Sequence, residues 1–383
     1  MSSDKAVLVL EDGSRFPGLA WGAKGECVGE VVFSTGMTGY QETITDPSYA
    51  GQILVSTAPH IGNTGLNDED AESEKIWIEG WVARDPSRVS SNFRSNRSLN
   101  AELEHNGVVG ICSVDTRAIT LRLRERGVLR GGIFSGKLLE IDKDEQLARV
   151  TRAPEMSGQN LSEQVSVKSM RVLKAVGKNI GRLAVLDLGV KNSTLHHLAA
   201  RGFEVHVLPW NADYREILSI GPVGLFYSNG PGDPSASDDQ VELLRKALED
   251  SLPFFGICFG NQLLGRAVGL PTYKLKYGHR GINQPVLDIE SGRVEITAQN
   301  HGFAVEASVE KVFESSQGFG PVRVSHVSLS DGIVQGIALV DRPAFSVQFH
   351  PEAAAGPHDS THLFDKFRNL VLQHKPGSEG ETP

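Results

Sequence analysis

The chain has 383 residues, a formal net charge of −9, and 39% hydrophobic against 22% charged residues. This is the composition of an ordinary soluble protein long enough for two cores, and an acidic balance without a dense Lys/Arg cluster excludes nucleic acid and anionic lipid as expected partners. Its three cysteines, Cys27, Cys112 and Cys258, are widely separated with no CxxC spacing, so no disulfide framework or zinc knuckle is expected and a reducing, cytoplasmic setting fits.

The first apolar run, Ala6 to Leu10, is too short for a signal-peptide core, and no stretch reaches membrane-spanning length, so no membrane association is expected. Short strands follow at Val28 to Ser34, Gln52 to Thr57 and Ile76 to Val82, separated by Gly, Pro and Asp turns. Polar clusters crowd Thr38 to Glu42 and Thr45 to Tyr49, where turn chemistry is the simplest account. Helices are expected over Thr116 to Arg126 and Glu140 to Val150. Residues 1–150 thus read as a β-rich α/β domain, and the aperiodic Ser- and Lys-bearing stretch 151–180 reads as a linker.

From Arg182 strand and helix alternate: Leu183 to Leu188, Ser193 to Arg201, Val205 to Leu208, Tyr214 to Ser219 and Gly224 to Tyr227. Alternation of this kind predicts a mostly parallel sheet with flanking helices over residues 181–375, with ligands bound at strand C-termini. A helix over Asp238 to Leu248, strands at Arg293 to Ala298 and Phe345 to Phe349, and a closing helix at Thr361 to Gln373 complete the domain, with a flexible tail at 376–383.

One stretch carries the chemistry. Pro253 to Ile257 is an apolar strand too short for a helix, Gly256-Ile257-Cys258-Phe259-Gly260 makes a sharp turn, and Asn261 to Val268 has helical spacing. The pattern is that of a nucleophile elbow. Glycines at 256 and 260 avoid collision with the neighbouring helix or strand, while Cys258 takes the strained corner and is expected to point into solvent. At a helix N-terminus the unpaired amides and the dipole favour thiolate over thiol. Taken alone, Cys258 is equally well a buried core cysteine.

His350-Pro351-Glu352 follows an apolar strand, placing a base at a strand end with a carboxylate two residues on to orient its imidazole. An exposed turn is the alternative reading of that tripeptide. Gly230-Pro231-Gly232 is a tight turn that could also supply an oxyanion-hole donor alongside the amide of Phe259, each such donor contributing about 3 kcal/mol in a transition state. Gly131 to Leu138 follows the phosphate-loop pattern except that Leu138 replaces the magnesium-holding hydroxyl, so nucleotide binding there is rejected. His358 and His362 lack the glutamate of a zinc helix, and no metal site is expected; the adjacent His196 and His197 read as surface or core residues.

The ordered motifs Ser228 to Pro234, Gly256 to Gln262 and His350 to Glu352 resemble those of the class I, triad-type glutamine amidotransferases. Over the whole chain, Gly39 to Gln41, Asp46 to Tyr49, Pro59 to Asn63, Ser91 to Arg94, Asp115 to Arg117, Gln299 to Phe303 and Gly356 to Asp359 are similar to the family of carbamoyl phosphate synthetase small subunits. The resemblance implies that Cys258 forms a γ-glutamyl thioester, His350 is the general base and acid, and Glu352 orients it. It also implies that glutamine is held by Ser48, Gly230, Gly232, Phe259, Gln262, Asn300, Gly302 and Phe303. Phe259 and Asn261 depart from the family's commonest residues, leucine and histidine, without touching the triad. Ammonia would pass through a tunnel to the large subunit of carbamoyl phosphate synthetase, docked on the N-terminal domain. That partner would hold bicarbonate, ATP and Mg, for arginine and pyrimidine synthesis, and this chain would need no cofactor. The elbow by itself leaves open a free-standing cysteine hydrolase, a noncatalytic binding subunit, and the glutaminase of anthranilate or GMP synthesis; the N-terminal motifs argue for the synthetase subunit.

Overall fold

The computed structural model describes residues 4–309 and 312–374, so the tail expected at 376–383 lies outside the described residues. The chain divides into two compact units, Met1–Gln159 with Lys276–Gly281, and Asn160–Leu275 with Ile282–Pro383.

In the first unit, strands β1 (Lys5–Leu10), β2 (Arg15–Gly22), β3 (Glu26–Ser34), β4 (Gln52–Ser56), β6 (Gly80–Val82), β8 (Val109–Cys112) and β9 (Leu129–Ser135) close into a barrel in the order β1-β2-β8-β6-β4-β3-β9, while β5 (His60–Ile61) and β7 (Asp85–Pro86) pair beside it. Closure leaves no open edge among these strands. Helices α1 (Tyr40–Ile44), α2 (Leu99–His105), α3 (Thr116–Arg126) and α4 (Lys143–Arg152) complete the unit. The period-2 rule explains how β1 serves two cores: Ala6, Leu8 and Leu10 join Val31, Ile53 and Ile133, whereas Val7 and Val9 join Phe134 and Val150 of α4. Helix α3 starts where Asp115 accepts the Ala118 amide at 3.0 Å. The glycine-rich run from Gly131 lies in β9, paired with β1 on one side and β3 on the other. Its backbone is committed to the ladder and cannot wrap a phosphate.

The stretch 151–180 carries structure of its own: α5 (Ser162–Val165), and β10 (Arg171–Leu173), which pairs antiparallel with β12 (Phe203–Leu208). A three-residue edge strand is too short to show periodicity, so the sequence offers no signal for it.

The second unit continues with β11 (Gly181–Leu186), α6 (Asn192–Ala200), α7 (Tyr214–Ser219), β13 (Gly224–Tyr227), α8 (Asp238–Glu249), β14 (Phe254–Ile257), α9 (Phe259–Ala267), β15 (Thr272–Asp288, whose middle residues Lys276–Gly281 belong to the first unit), β16 (Val294–Val305), β17 (Phe313–Glu314), β18 (Pro321–Ser328), β19 (Val334–Leu339), β20 (Ala344–Val347) and α10 (His362–Gln373). Its 11-stranded sheet runs β10-β12-β11-β13-β14-β20-β19-β18-β15-β16, with β17 paired to β18 off this path, parallel from β12 to β20 and antiparallel from β20 to β18. The parallel strands read as near-continuous apolar runs because both faces are covered. Leu225, Tyr227 and Phe254 pack into one cluster with α8 and α9, while Phe226, Phe255 and Ile257 pack into the other with α6 and α10.

One buried residue of this sheet makes stability depend on pH. His326 of β18 is 2% exposed, contacts the Ser325 hydroxyl at 2.9 Å through Nδ1, and leaves Nε2 without a hydrogen-bond partner among the described residues. Burial pulls its pKa down to about 4 against the opposing influence of Asp288 and Glu295, with Lys366 and His362 reinforcing the fall. The native state therefore resists a proton that the unfolded chain accepts. The contribution of about 3 kcal/mol is complete above pH ~6.5 and is lost as pH falls toward 4. Melting temperature measured from pH 7 to pH 4.5 should fall more steeply in the native protein than in His326→Gln; parallel curves would show that this residue does not carry the effect.

Candidate active site

The turn after β14 is fixed by contacts at two glycines. A Cβ on Gly256 would lie 2.7 Å from the backbone of Gly260, and one on Gly260 would lie 2.5 Å from the Tyr227 carbonyl oxygen. Between them Cys258 adopts φ 55° and ψ −98°, a strained conformation for a residue with a side chain and one that the packed strand and helix must hold in place. Cys258 is 2% exposed, so the expectation that it points into solvent is corrected. The turn directs it under the strand β16 segment instead: its thiol lies 3.6 Å from the Asn300 carbonyl oxygen, and the Gln348 amide Nε2 lies 3.6 Å from its sulfur.

Cys258 and His350 meet because β14 and β20 are adjacent and parallel. Ile257 stands opposite Val347, the Cys258 amide donates to the Val347 carbonyl at 2.8 Å, and the chain runs on from β20 to His350, whose own amide donates to Ala298 at 2.9 Å. Alternation sorts the segment by face. Phe345, Val347 and Phe349 enter the hydrophobic core. Ser346 and Gln348 bond to residues of the first turn of α9, and His350 to Glu352.

His350 Nδ1 lies 2.7 Å from Glu352 Oε1, and Lys191 Nζ lies 3.0 Å from the same oxygen and 3.2 Å from Nδ1. The ammonium has no lone pair to give and the carboxylate has only acceptors, so ring and lysine both donate to Glu352 and the Nδ1 proton is placed by chemistry. Nε2 is the nitrogen left for other work, buried and without a close partner among the described residues. Burial and Lys191 both disfavour the charged ring, but Glu352 through its charge and hydrogen bond, together with the Cys258 side chain, outweighs them and raises the His350 pKa well above the usual imidazole range. Glu352 is wholly buried, and although burial opposes its charge, Lys191 and His350 hold its carboxyl far below the ordinary range. Lys191 carries no motif in the sequence. Its signal was positional: it ends the loop after β11, at a strand C-terminus, where Asp187 anchors the Gly189 and Val190 amides at 3.0 and 2.8 Å.

The remaining residues expected around glutamine divide by unit. Gln262 of α9 donates from Nε2 to the Phe303 carbonyl at 3.0 Å, and its Oε1 is a buried acceptor with no partner among the described residues. Asn300, Gly302 and Phe303 lie along β16, and the Asn300 and Phe303 carbonyls thus receive the Cys258 thiol and the Gln262 amide. Gly230 and Gly232 lie in the loop after β13, which reaches the elbow through the Gly260 amide bonded to the Ser228 carbonyl at 3.2 Å. A Cβ on Gly230 would lie 2.1 Å from the Leu188 carbonyl oxygen, and Gly232 has φ 97°. The Gly260 amide is used in this way and the Asn261 and Gln262 amides turn back to the Cys258 carbonyl, while the Phe259 amide has no partner among the described residues. Ser48 lies in the first unit, buried in a single turn begun by Asp46, whose carboxylate accepts the Ser48 amide at 2.9 Å. His358 and His362 join no cluster of metal ligands among the described residues; His362 Nε2 instead pairs with Glu295 at 2.5 Å. His196 is exposed, while His197 stacks on Phe364 at 4.9 Å.

The arrangement can polarise a sulfur nucleophile beside an imidazolium, with a backbone donor at the helix start. Residues 8–133 match the family described as carbamoyl-phosphate synthase small chain, CPSase domain, and residues 184–370 match glutamine amidotransferase class-I. The chain is 58% identical over 366 residues to the carbamoyl phosphate synthase small chain of Streptomyces avermitilis, covering 96% of both chains. It is 52% identical over 384 residues to that of Bifidobacterium longum, with 96% of this chain and 94% of the other covered. Against that of Mycobacterium tuberculosis the identity is 51% over 372 residues, with 96% and 98% covered.

Proposed function

We infer the mechanism from one premise: the chain belongs to the carbamoyl-phosphate synthase small-chain family, as its glutamine-hydrolysing subunit. The observation that carries the mechanism is the buried line from Cys258 through His350 to Glu352. The Cys258 thiolate attacks the side-chain carbonyl carbon of glutamine, and the developing oxyanion is received by the Phe259 amide with the Gly230 to Gly232 loop. His350, protonated at Nε2, gives that proton to the departing nitrogen, so ammonia leaves and a γ-glutamyl thioester remains. The neutral ring then takes a proton from water as the oxygen adds to the thioester carbonyl, and glutamate is released with the thiolate restored. Glu352 and Lys191 fix the ring so that Nε2 keeps its aim in both halves.

Within the second unit glutamine is held by Gln262, Asn300, Gly302 and Phe303, with Oε1 of Gln262, which has no partner among the described residues, offering an acceptor to the substrate's ammonium or amide. Ammonia passes to a large subunit that carries bicarbonate, ATP and Mg2+ and makes carbamoyl phosphate for arginine and pyrimidine synthesis in the cytoplasm. The first unit docks that subunit, and the second needs no cofactor for its own step. The commitment of Gly131 to Ser135 to the barrel ladder supports placing ATP on the partner.

Glutamate release from glutamine by the purified chain, alone and with the large subunit and its substrates, tests this reading. Slow release that the partner accelerates is expected; fast, partner-independent release would indicate a free-standing hydrolase, and no release under either condition a noncatalytic subunit. In the same assay Gln262→Ala should raise KM for glutamine about tenfold while changing kcat less, because its main part is to bind substrate. A fall in kcat alone would remove it from the binding set.

A further inference from the structure

Gln348 is wholly buried, charges nothing and titrates nowhere, yet its side chain ends at the reacting sulfur. An amide can present either its NH2 or its oxygen, and the choice decides whether it stabilises or repels a thiolate. Here the choice is forced from outside. The Phe303 main-chain carbonyl can only accept, so it takes the Gln262 NH2 at 3.0 Å, and that same NH2 donates to Gln348 Oε1 at 3.3 Å. With the Gln348 oxygen so placed, the Asn261 NH2 donates to it at 3.2 Å, and the Ser346 hydroxyl, which can serve either role, then donates to Asn261 Oδ1 at 2.9 Å. Two donors thus hold the Gln348 oxygen, and its NH2 is left facing Cys258 Sγ at 3.6 Å, a hydrogen-bond distance for the large sulfur atom. The Asn300 carbonyl, 3.6 Å from the sulfur, can accept from a thiol but cannot support a thiolate, so beside the His350 ring the Gln348 amide is the neutral side-chain donor at the sulfur.

We propose that Gln348 is the fixed side-chain donor to the Cys258 thiolate, oriented by Asn261 and Gln262 acting as positioning residues. The role rests on the reading of Cys258 as the nucleophile. It also gives a use to Asn261: an amide there supplies one of the two donors that lock Gln348, and it does so from the first turn of the elbow helix. Because the donor is neutral and preset, it follows the sulfur from thiolate to thioester and back without reorganising, as a water molecule would have to.

The test measures the pH dependence of Cys258 alkylation by iodoacetamide, read at the Cys258 peptide by mass spectrometry, together with glutaminase kcat and KM of the complete chain. Gln348→Glu keeps the volume and both accepted hydrogen bonds but turns an anionic acceptor toward the sulfur. Gln348→Met keeps the bulk and removes the donor. The expected order of alkylation midpoints is native, then Gln348→Met, then Gln348→Glu, with the Met variant alkylated about tenfold more slowly at neutral pH and kcat falling more than KM rises. Thermal melts identify any variant that fails to fold, and the other then decides. Midpoints equal to the native one in a folded variant would overturn the role of Gln348 even where glutamine is still hydrolysed. Failure of the native chain to release glutamate would instead remove the reading of Cys258, whatever the alkylation curves show.

Discussion

Cys258→Ser is expected to lower glutamine hydrolysis by about a thousandfold or more while leaving ammonia-dependent carbamoyl phosphate synthesis by the assembled enzyme intact. A serine hydroxyl is smaller than the thiol and fits the same turn, so the fold has no reason to change. Its chemistry differs at the decisive point. The thiol proton passes readily to a ring that Glu352 already holds ready for it, whereas a hydroxyl has far too high a pKa to yield a standing alkoxide beside the same ring. Nucleophilicity is therefore lost with geometry kept. Ammonia supplied in solution bypasses the elbow, so synthesis from it reports on assembly and on the partner. Loss of both activities would mean that Cys258 supports the structure rather than the reaction.

Gly260→Ala is expected to abolish glutamine hydrolysis and to destabilise the second unit by about 3 kcal/mol, seen as a lower denaturant midpoint. The added methyl would meet the Tyr227 carbonyl oxygen at 2.5 Å and its Cβ at 2.9 Å, atoms of β13 that cannot step aside. Tyr227 is fully buried and its hydroxyl donates to the Gln240 carbonyl at 3.0 Å, which closes the route by which the strand could yield. Helix α9 must then move away from β13, and Cys258, its N-cap, moves with it. A shift of even 1 Å at the sulfur breaks alignment with His350, Gln348 and the Phe259 amide together. Near-native activity in this variant would show that the elbow tolerates a wider turn than these contacts allow.

The elements that could be read from the chain are those whose signal is local. Helices at Thr116 to Arg126 and Tyr214 to Ser219 and the strand at Gly224 to Tyr227 have the bounds expected, since periodicity and caps lie within each segment. The barrel strands β2, β8 and β9 carried weaker signals: β9 contains two adjacent glycines, and β8 has only four residues. Gly131 to Leu138 resembled a phosphate loop because a pattern of residue types is silent about whether the backbone is free or, as over Gly131 to Ser135, paired.

Around the site the same division holds. Cys258, His350 and Glu352 were legible because each sits in a short motif with a mechanical reason at its own spacing: glycines around a sharp turn, a proline ending a strand, a carboxylate two residues past an imidazole. The polar face Ser346, Gln348, His350, which alternates with Phe345, Val347 and Phe349, lay hidden in a run that reads as an apolar strand. The pairing of β14 with β20, a contact across 90 residues, sets Gln348 against the sulfur, and β16 covers a cysteine that the turn alone would leave in solvent. Lys191 reaches Glu352 from a third strand end for the same reason. Local chemistry determined which residues could react; the order of strands in the sheet decided which of them meet, because charges and hydrogen bonds act through distances that the chain alone does not fix.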